Sequence, residues 1–229
     1  MQDLAALVEP LRSLDWEDMD AVEAANRKVL ERLDEDRGIV RRALDELPDR
    51  PDLLALCEHP DAEATAGLGQ QLDKVVLYAD EESGVRVRLH AFWSGCYDLP
   101  HNHRWSFASV VLQGAFRHTL YGEADDVTPL EAPRALHVRQ ERAGTVYALH
   151  HRMLHALVAE PDTVSLVVRG PAAKDRSFLV DPATGERLWH YGADQESAEE
   201  TARKRMTPAH LRALTAKFDA AGLFRRPRP

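Results

Sequence analysis

GCYDLPHNHRWSFASVVLQG, residues 95–114, carries the densest chemistry in the chain. His101 and His103 sit two apart just after Pro100, and the apolar run Phe107, Ala108, Ser109, Val110, Val111, Leu112 predicts a strand. Successive strand side chains point to opposite faces, so a two-residue step puts both imidazoles on one side. That is a chelating pair. Neutral imidazole suits zinc, copper, iron and nickel, whereas calcium and magnesium call for oxygen ligands. Two ligands do not hold a catalytic metal, and a third is expected from a strand beside the first. Residues 144–171, GTVYALHHRMLHALVAEPDTVSLVVRGP, offer His150, His151 and His155. A single strand histidine is more often exposed or hydrogen-bonded than a ligand; this pair follows a turn residue and leads into an apolar strand.

The run from Gly95 through His101, His103 and Gly114 resembles the first cupin motif. The stretch with Tyr147, Leu149, His155 and Val164 to Val168, closing on Gly170 and Pro171, resembles the second. The resemblance covers roughly residues 70–192. It implies a mainly β chain with helical extensions: a double-stranded β-helix, or jelly-roll barrel, between an N-terminal helical region and C-terminal helices. It also implies His101, His103 and His155 as the metal ligands, with His151 as the fallback, and an aromatic, Tyr147, lining the pocket. Cupins usually carry a glutamate ligand four residues after the second histidine, and Phe107 stands there. The resemblance is therefore closest to the three-histidine cupins, of which the thiol dioxygenases, cysteine dioxygenase among them, are the familiar case.

The divisions expected are 1–67 for the helical region, 68–194 for the barrel and 195–229 for the closing helices. A net charge of −9 argues against a general nucleic-acid binder, because phosphate neutralisation needs a basic surface. The basic tail Arg225, Arg226, Pro227, Arg228 is too short to reverse that and reads as a solvated terminus. Two cysteines, Cys57 and Cys96, make no disulfide framework and suit a reducing compartment, so a cytoplasmic location is expected. Cys96 precedes His101 by five residues, which allows a place near the metal, though a small buried side chain gives the same pattern. The acidic N-terminus has no long apolar stretch, so neither a signal peptide nor a membrane span is expected.

Leu4, Leu7, Val8 and Leu11 recur at helical spacing, and Val22, Val29, Leu30 and Leu33 mark a second helix from about Asp20 to Leu33. Helices over Ile39–Leu47 and after Pro51 follow. Beyond Gly67 and Gly69 the period changes. Val75–Tyr78 and Val85–His90 flank the turn at Asp80–Gly84 and predict a hairpin. Arg86, Arg88 and His90 share one face of its second strand. Facing inward, the arginines would clamp a substrate carboxylate; facing outward, they are ordinary solvated residues. Ala115–Tyr121 is the return strand. If its Phe116 face looks inward, His118 is a proton carrier behind the ligands; otherwise it is surface decoration. Glu123–Arg134 reads as a loop or lid, Leu136–Gln140 as a strand, and Phe178–Val180 with Leu188–Tyr191 as a closing hairpin in which Trp189 is core and His190 surface. Ser197–Glu200 is a capping box, and Thr207-Pro208 starts a helix that Gly222 stops.

Three neutral imidazoles leave a divalent ion its full charge and open positions, which favours a small substrate bringing its own negative charge. The expected function is a non-haem Fe(II) oxygenase, dioxygenase-like, acting on a small polar chelating substrate such as an amino acid or thiol, with O2 as partner. Tyr147, Arg86, Arg88 and His118 are the expected catalytic side chains. Zinc, nickel, manganese or copper remain alternatives, with an isomerase, lyase or hydrolase using the ion as a Lewis acid, or a non-catalytic small-molecule-binding barrel. A homodimer, and no nucleic-acid or membrane partner, complete the expectations.

Overall fold

A computed structural model describes residues 2–59, 72–92, 98–127, 133–192 and 195–225. Cys96, the Gly67–Gly69 boundary, the middle of the expected lid and the tail from Arg226 lie outside the described residues. Four helices come first: α1 (Gln2–Val8), α2 (Met19–Glu35), α3 (Arg37–Glu46) and α4 (Pro51–Leu54). Asp18 caps α2, its carboxylate accepting from the Asp20 and Ala21 amides, so orphan N–H groups of the first turn are satisfied. Ten strands follow: β1 (Leu72–Ala79), β2 (Arg86–Phe92), β3 (Phe107–Gln113), β4 (Ala115–Glu123), β5 (His137–Arg142), β6 (Val146–Leu149), β7 (Met153–Ala159), β8 (Thr163–Arg169), β9 (Arg176–Val180) and β10 (Arg187–Tyr191). The chain closes with α5 (Ala198–Lys204) and α6 (Pro208–Ala220), the latter capped by Thr207, whose hydroxyl accepts from the His210 amide at 3.1 Å.

The strands build two antiparallel layers. One has the order β1-β2-β8-β3-β6, and the other the order β5-β4-β7. Backbone bridges from His101 to His155 on β7 and to Leu179 on β9 join the β9–β10 hairpin to the second layer. This is the double-stranded β-helix expected from the two motifs, with helices at both ends.

Why β3 and β8 are apolar almost throughout follows from what covers them. In β3, Phe107 and Val111 face the barrel interior, while Ala108, Val110 and Leu112 face the helices and join one core with Val22, Val29 and Leu30 of α2. A strand covered on both faces loses the polar alternation of a half-exposed one. Each fully buried Val or Leu there contributes about 1.5–3 kcal/mol. Gly114 turns β3 directly into β4 at φ +76°, and a Cβ at that position would run into Thr163. Thr163 fixes the corner from the other side, its hydroxyl donating to the Ala115 carbonyl at 3.0 Å and accepting from the Ala115 amide at 3.2 Å.

Candidate metal centre

The two histidines of the first motif do not lie on β3. They precede it, in a segment that runs along β7: the His101 amide donates to the His155 carbonyl at 2.8 Å and the His155 amide to the His101 carbonyl at 2.9 Å. Asn102, between them, is tied to β9, donating to the Phe178 carbonyl and accepting from the Phe178 amide. The third histidine therefore comes from β7 in the second layer, where the expectation had it on a strand beside β3, whose partners are β8 and β6.

His101, His103 and His155 converge, each offering a ring nitrogen within 4.8 Å of the other two. His103 Nε2 lies 2.8 Å from His155 Nε2. His101 Nδ1 lies 2.9 Å from the Leu99 carbonyl, which takes the proton on that nitrogen and leaves Nε2 as a lone-pair donor. Burial holds His103 and His155 well below the ordinary imidazole range, so both stay neutral near pH 7. Three imidazole nitrogen donors suit a divalent d-block ion. His151 is elsewhere: its Nε2 sits 3.1 Å from Glu17, as does that of His150, and these two rings clamp the loop before α2.

Behind His155 stands a relay. His118 Nε2 lies 2.9 Å from His155 Nδ1, and His118 Nδ1 lies 3.3 Å from Glu141 on β5, which Arg139 also contacts at 2.8 Å. One tautomer set satisfies the chain: His155 donates from Nδ1 to His118, which donates from Nδ1 to Glu141. Burial lowers the His118 pKa, although the Glu141 hydrogen bond opposes it. Burial works against the Glu141 carboxylate too, but the His118 hydrogen bond and the Arg139 charge outweigh it and keep the group below its ordinary range. The Phe116 face of β4 thus points inward. His118 is fully buried and lies outside the cavity wall.

The three histidines open on a cavity of about 700 Å³. Phe92, Phe107, Phe116 and Tyr147 form its apolar side, with the Phe107 ring 4.9 Å from that of His103. Burial raises the Tyr147 pKa against an opposing contact from Ser109, so the phenol keeps its proton. Of the two arginines expected to share a role, Arg88 lines the cavity and Arg86, at the strand's start, does not. Burial pushes Arg88 down to about 10, still cationic at pH 7. Its guanidinium carbon sits 5.3 Å from the Trp105 ring centre, and its Nε has no hydrogen-bond partner among the described residues. Arg169 flanks the same indole at 4.4 Å, and burial brings it to about 8. His90 also faces the cavity, with an Nε2 that has no partner among the described residues and a pKa pushed by burial to about 3.

Sequence reasoning missed Glu58 and Lys74, paired at 3.1 Å on the cavity wall, because Glu58 precedes the barrel and reaches it through a bridge to β1. Glu58 is held down to about 2, chiefly by Lys74. Trp189, expected in the core, is half-buried against Phe178 and the Arg176 guanidinium, at 5.4 and 3.8 Å, because the β9–β10 hairpin lies at the cavity rim. His190 is exposed at that rim, as expected. Cys57 is buried and free, accepting from the Val76 amide at 3.2 Å; burial pushes its thiol to about 11.

No protein-family model matches the chain, and no curated protein matches it. Among solved structures it is similar to a cupin 2 conserved barrel domain protein from Rhodopseudomonas palustris, at 18% identity over 56% of this chain and 77% of that one, TM-score 0.41. It is similar also to an RmlC-like cupin from Shewanella frigidimarina, at 20% identity over 48% and 82%, TM-score 0.36. KdgF from a Halomonas species aligns at 22% identity over 45% and 82%, TM-score 0.35. At these scores the chain's own strand order and register carry the fold. No helix among the described residues is long and apolar enough to cross a membrane.

Proposed function

We propose that this chain is a non-haem Fe(II)-dependent oxygenase of the three-histidine kind, acting on a small anionic, metal-chelating substrate such as an amino acid or thiol. One observation carries the reading: three imidazoles converge on a cavity wall where Phe107 takes the place of a fourth, anionic ligand. A divalent iron held by His101, His103 and His155 would supply the substrate chelation and oxygen chemistry that no side chain offers.

The residues around it have separable tasks. Arg88 keeps its charge on the cavity wall, and its Nε–H, unpartnered among the described residues, is placed to take a substrate carboxylate. Tyr147 retains its proton and donates a hydrogen bond to an oxygen of the substrate or co-substrate. His90, neutral, offers Nε2 as an acceptor or donor on the same strand face as Arg88. Phe92, Phe107 and Phe116 give the substrate an apolar surface beside the three histidines. His118 holds the His155 ring and stays clear of the substrate.

Anaerobic loading with Fe(II), followed by oxygen-uptake measurements against a panel of amino acids and thiols, tests this. Substrate-dependent uptake that falls at least tenfold in Arg88→Met, mainly through KM, is expected. Tight zinc with no uptake for any compound would overturn the oxygenase reading in favour of Lewis-acid chemistry, and no tight metal would leave a binding barrel.

A further inference from the structure

A second cluster of metal-binding groups lies outside the barrel site. His59, in the segment after α4, places Nδ1 2.6 Å from Oδ1 of Asp73 on β1. His210, in the first turn of α6, places Nε2 2.9 Å from the same oxygen. The two rings lie close, with centres 3.7 Å apart and planes tilted by 34°, and both nitrogens meet the same carboxylate oxygen. All three ligand atoms lie within 4.8 Å of one another. Asp73 is fully buried, while both imidazoles keep partial access to solvent.

We propose that His59, Asp73 and His210 form a binding site for a divalent d-block cation, zinc above all, distinct from the three-histidine centre. Two imidazoles and a carboxylate are a donor set that zinc, cobalt and nickel accept and that calcium does not favour. A tetrahedral zinc about 2.0–2.1 Å from each donor sets neighbouring donors about 3.3 Å apart, so the two nitrogen–oxygen separations of 2.6 and 2.9 Å would open by about 0.7 and 0.4 Å. The Glu17–His150–His151 group is a weaker candidate. His150 Nδ1 accepts from the Arg152 amide at 3.3 Å, which puts the proton on Nε2, facing Glu17, and makes that contact a hydrogen bond.

The location gives such an ion a consequence. Glu58, next to His59, exchanges two backbone hydrogen bonds with Lys74, each 2.9 Å, and the His59 amide donates to the Lys204 carbonyl at 2.7 Å. Glu58, Lys74 and Lys204 all line the cavity. A cation joining the segment after α4, β1 and α6 therefore braces the cavity rim, three pieces of chain that are distant in sequence. The inference stands whatever reaction the barrel performs.

The test uses the 229-residue chain with two barrel ligands removed, His101→Ala/His103→Ala, dialysed against Zn(II) or Co(II) and analysed for metal and thermal stability. One equivalent per chain is expected, together with a zinc-dependent rise in Tm and a visible Co(II) spectrum. Adding His59→Gln and His210→Gln, at partly exposed positions, should abolish all three; far-UV circular dichroism checks that the chain remains folded. Adding His150→Gln and His151→Gln instead should change none of them. No uptake by the barrel-site variant overturns the proposal, as does an equivalent that survives loss of His59 and His210 or disappears with His150 and His151.

Discussion

His118 and His155 share a hydrogen bond of 2.9 Å between Nε2 of one and Nδ1 of the other, and that contact fixes which nitrogen of His155 faces the cavity. Without it the ring could turn, and a buried N–H would lose its acceptor. His118→Ala should therefore weaken metal binding about 10–100-fold without unfolding the chain, and Glu141→Gln should do the same to a smaller degree. Competition with a chelator of known affinity measures it; unchanged affinity in both variants would show that the relay plays no part in holding His155.

The choice of third ligand separates two neighbours in sequence. His155→Ala should remove most of the barrel metal, whereas His151→Ala should spare it and instead free the Glu17 loop, lowering stability by about 1–2 kcal/mol through a lost hydrogen-bonded pair at a part-buried site. Metal content and urea melts of the two variants settle this, and the reverse pattern would reassign the ligand.

Acid should destabilise the fold through His90. Its folded pKa, about 3, lies below the unfolded value near 6.5, so between those values the unfolded chain binds the proton and the folded chain does not. Stability is complete above about pH 6.5 and declines as the pH falls towards 3. From pH 7 to 5 the loss from this residue is about 1–2 kcal/mol. Burial is the main cause, with Arg88 and Lys74 adding to it and Glu58 opposing. Urea unfolding at the two pH values should show a smaller loss for His90→Gln than for wild type; equal losses would mean that water reaches this ring.

Two glycines isolate packing from backbone strain. Gly114 and Gly144 have φ of +76° and +86°, but a Cβ would strike Thr163 at the first and meet nothing within 4 Å at the second. Gly144→Ala should cost about 1–2 kcal/mol from the left-handed backbone alone, and Gly114→Ala about 1–3 kcal/mol more. Chemical denaturation of both variants decides it, and equal costs would mean that the corner can yield.

Much of the barrel was legible because it rests on local pattern. The period-two alternation of Val85–His90, the doubly covered run at Phe107–Leu112 and the turn at Gly114 each state their structure within a few residues. The histidine pair stood out by its spacing, but its place in a segment along β7, ahead of β3, did not. What the sequence left open were choices of face and of distant partner. Nothing in Ala115–Tyr121 tells which side looks inward, so His118 could be a partner of His155 or a surface residue until β4 is seen between β5 and β7. Arg86 and Arg88 share a face, yet only the second sits deep enough along the strand to reach the cavity. Glu58, Glu141 and the group of His59, Asp73 and His210 are assembled by contacts between separate elements, and no local spacing announces them.

Anomalous diffraction from crystals grown with Zn(II) tests the central assignment most directly. A peak about 2.0–2.1 Å from Nε2 of His101, His103 and His155 together is the expected result. Absence of a peak among these three rings, or rings turned away from one another and from the cavity, would contradict it.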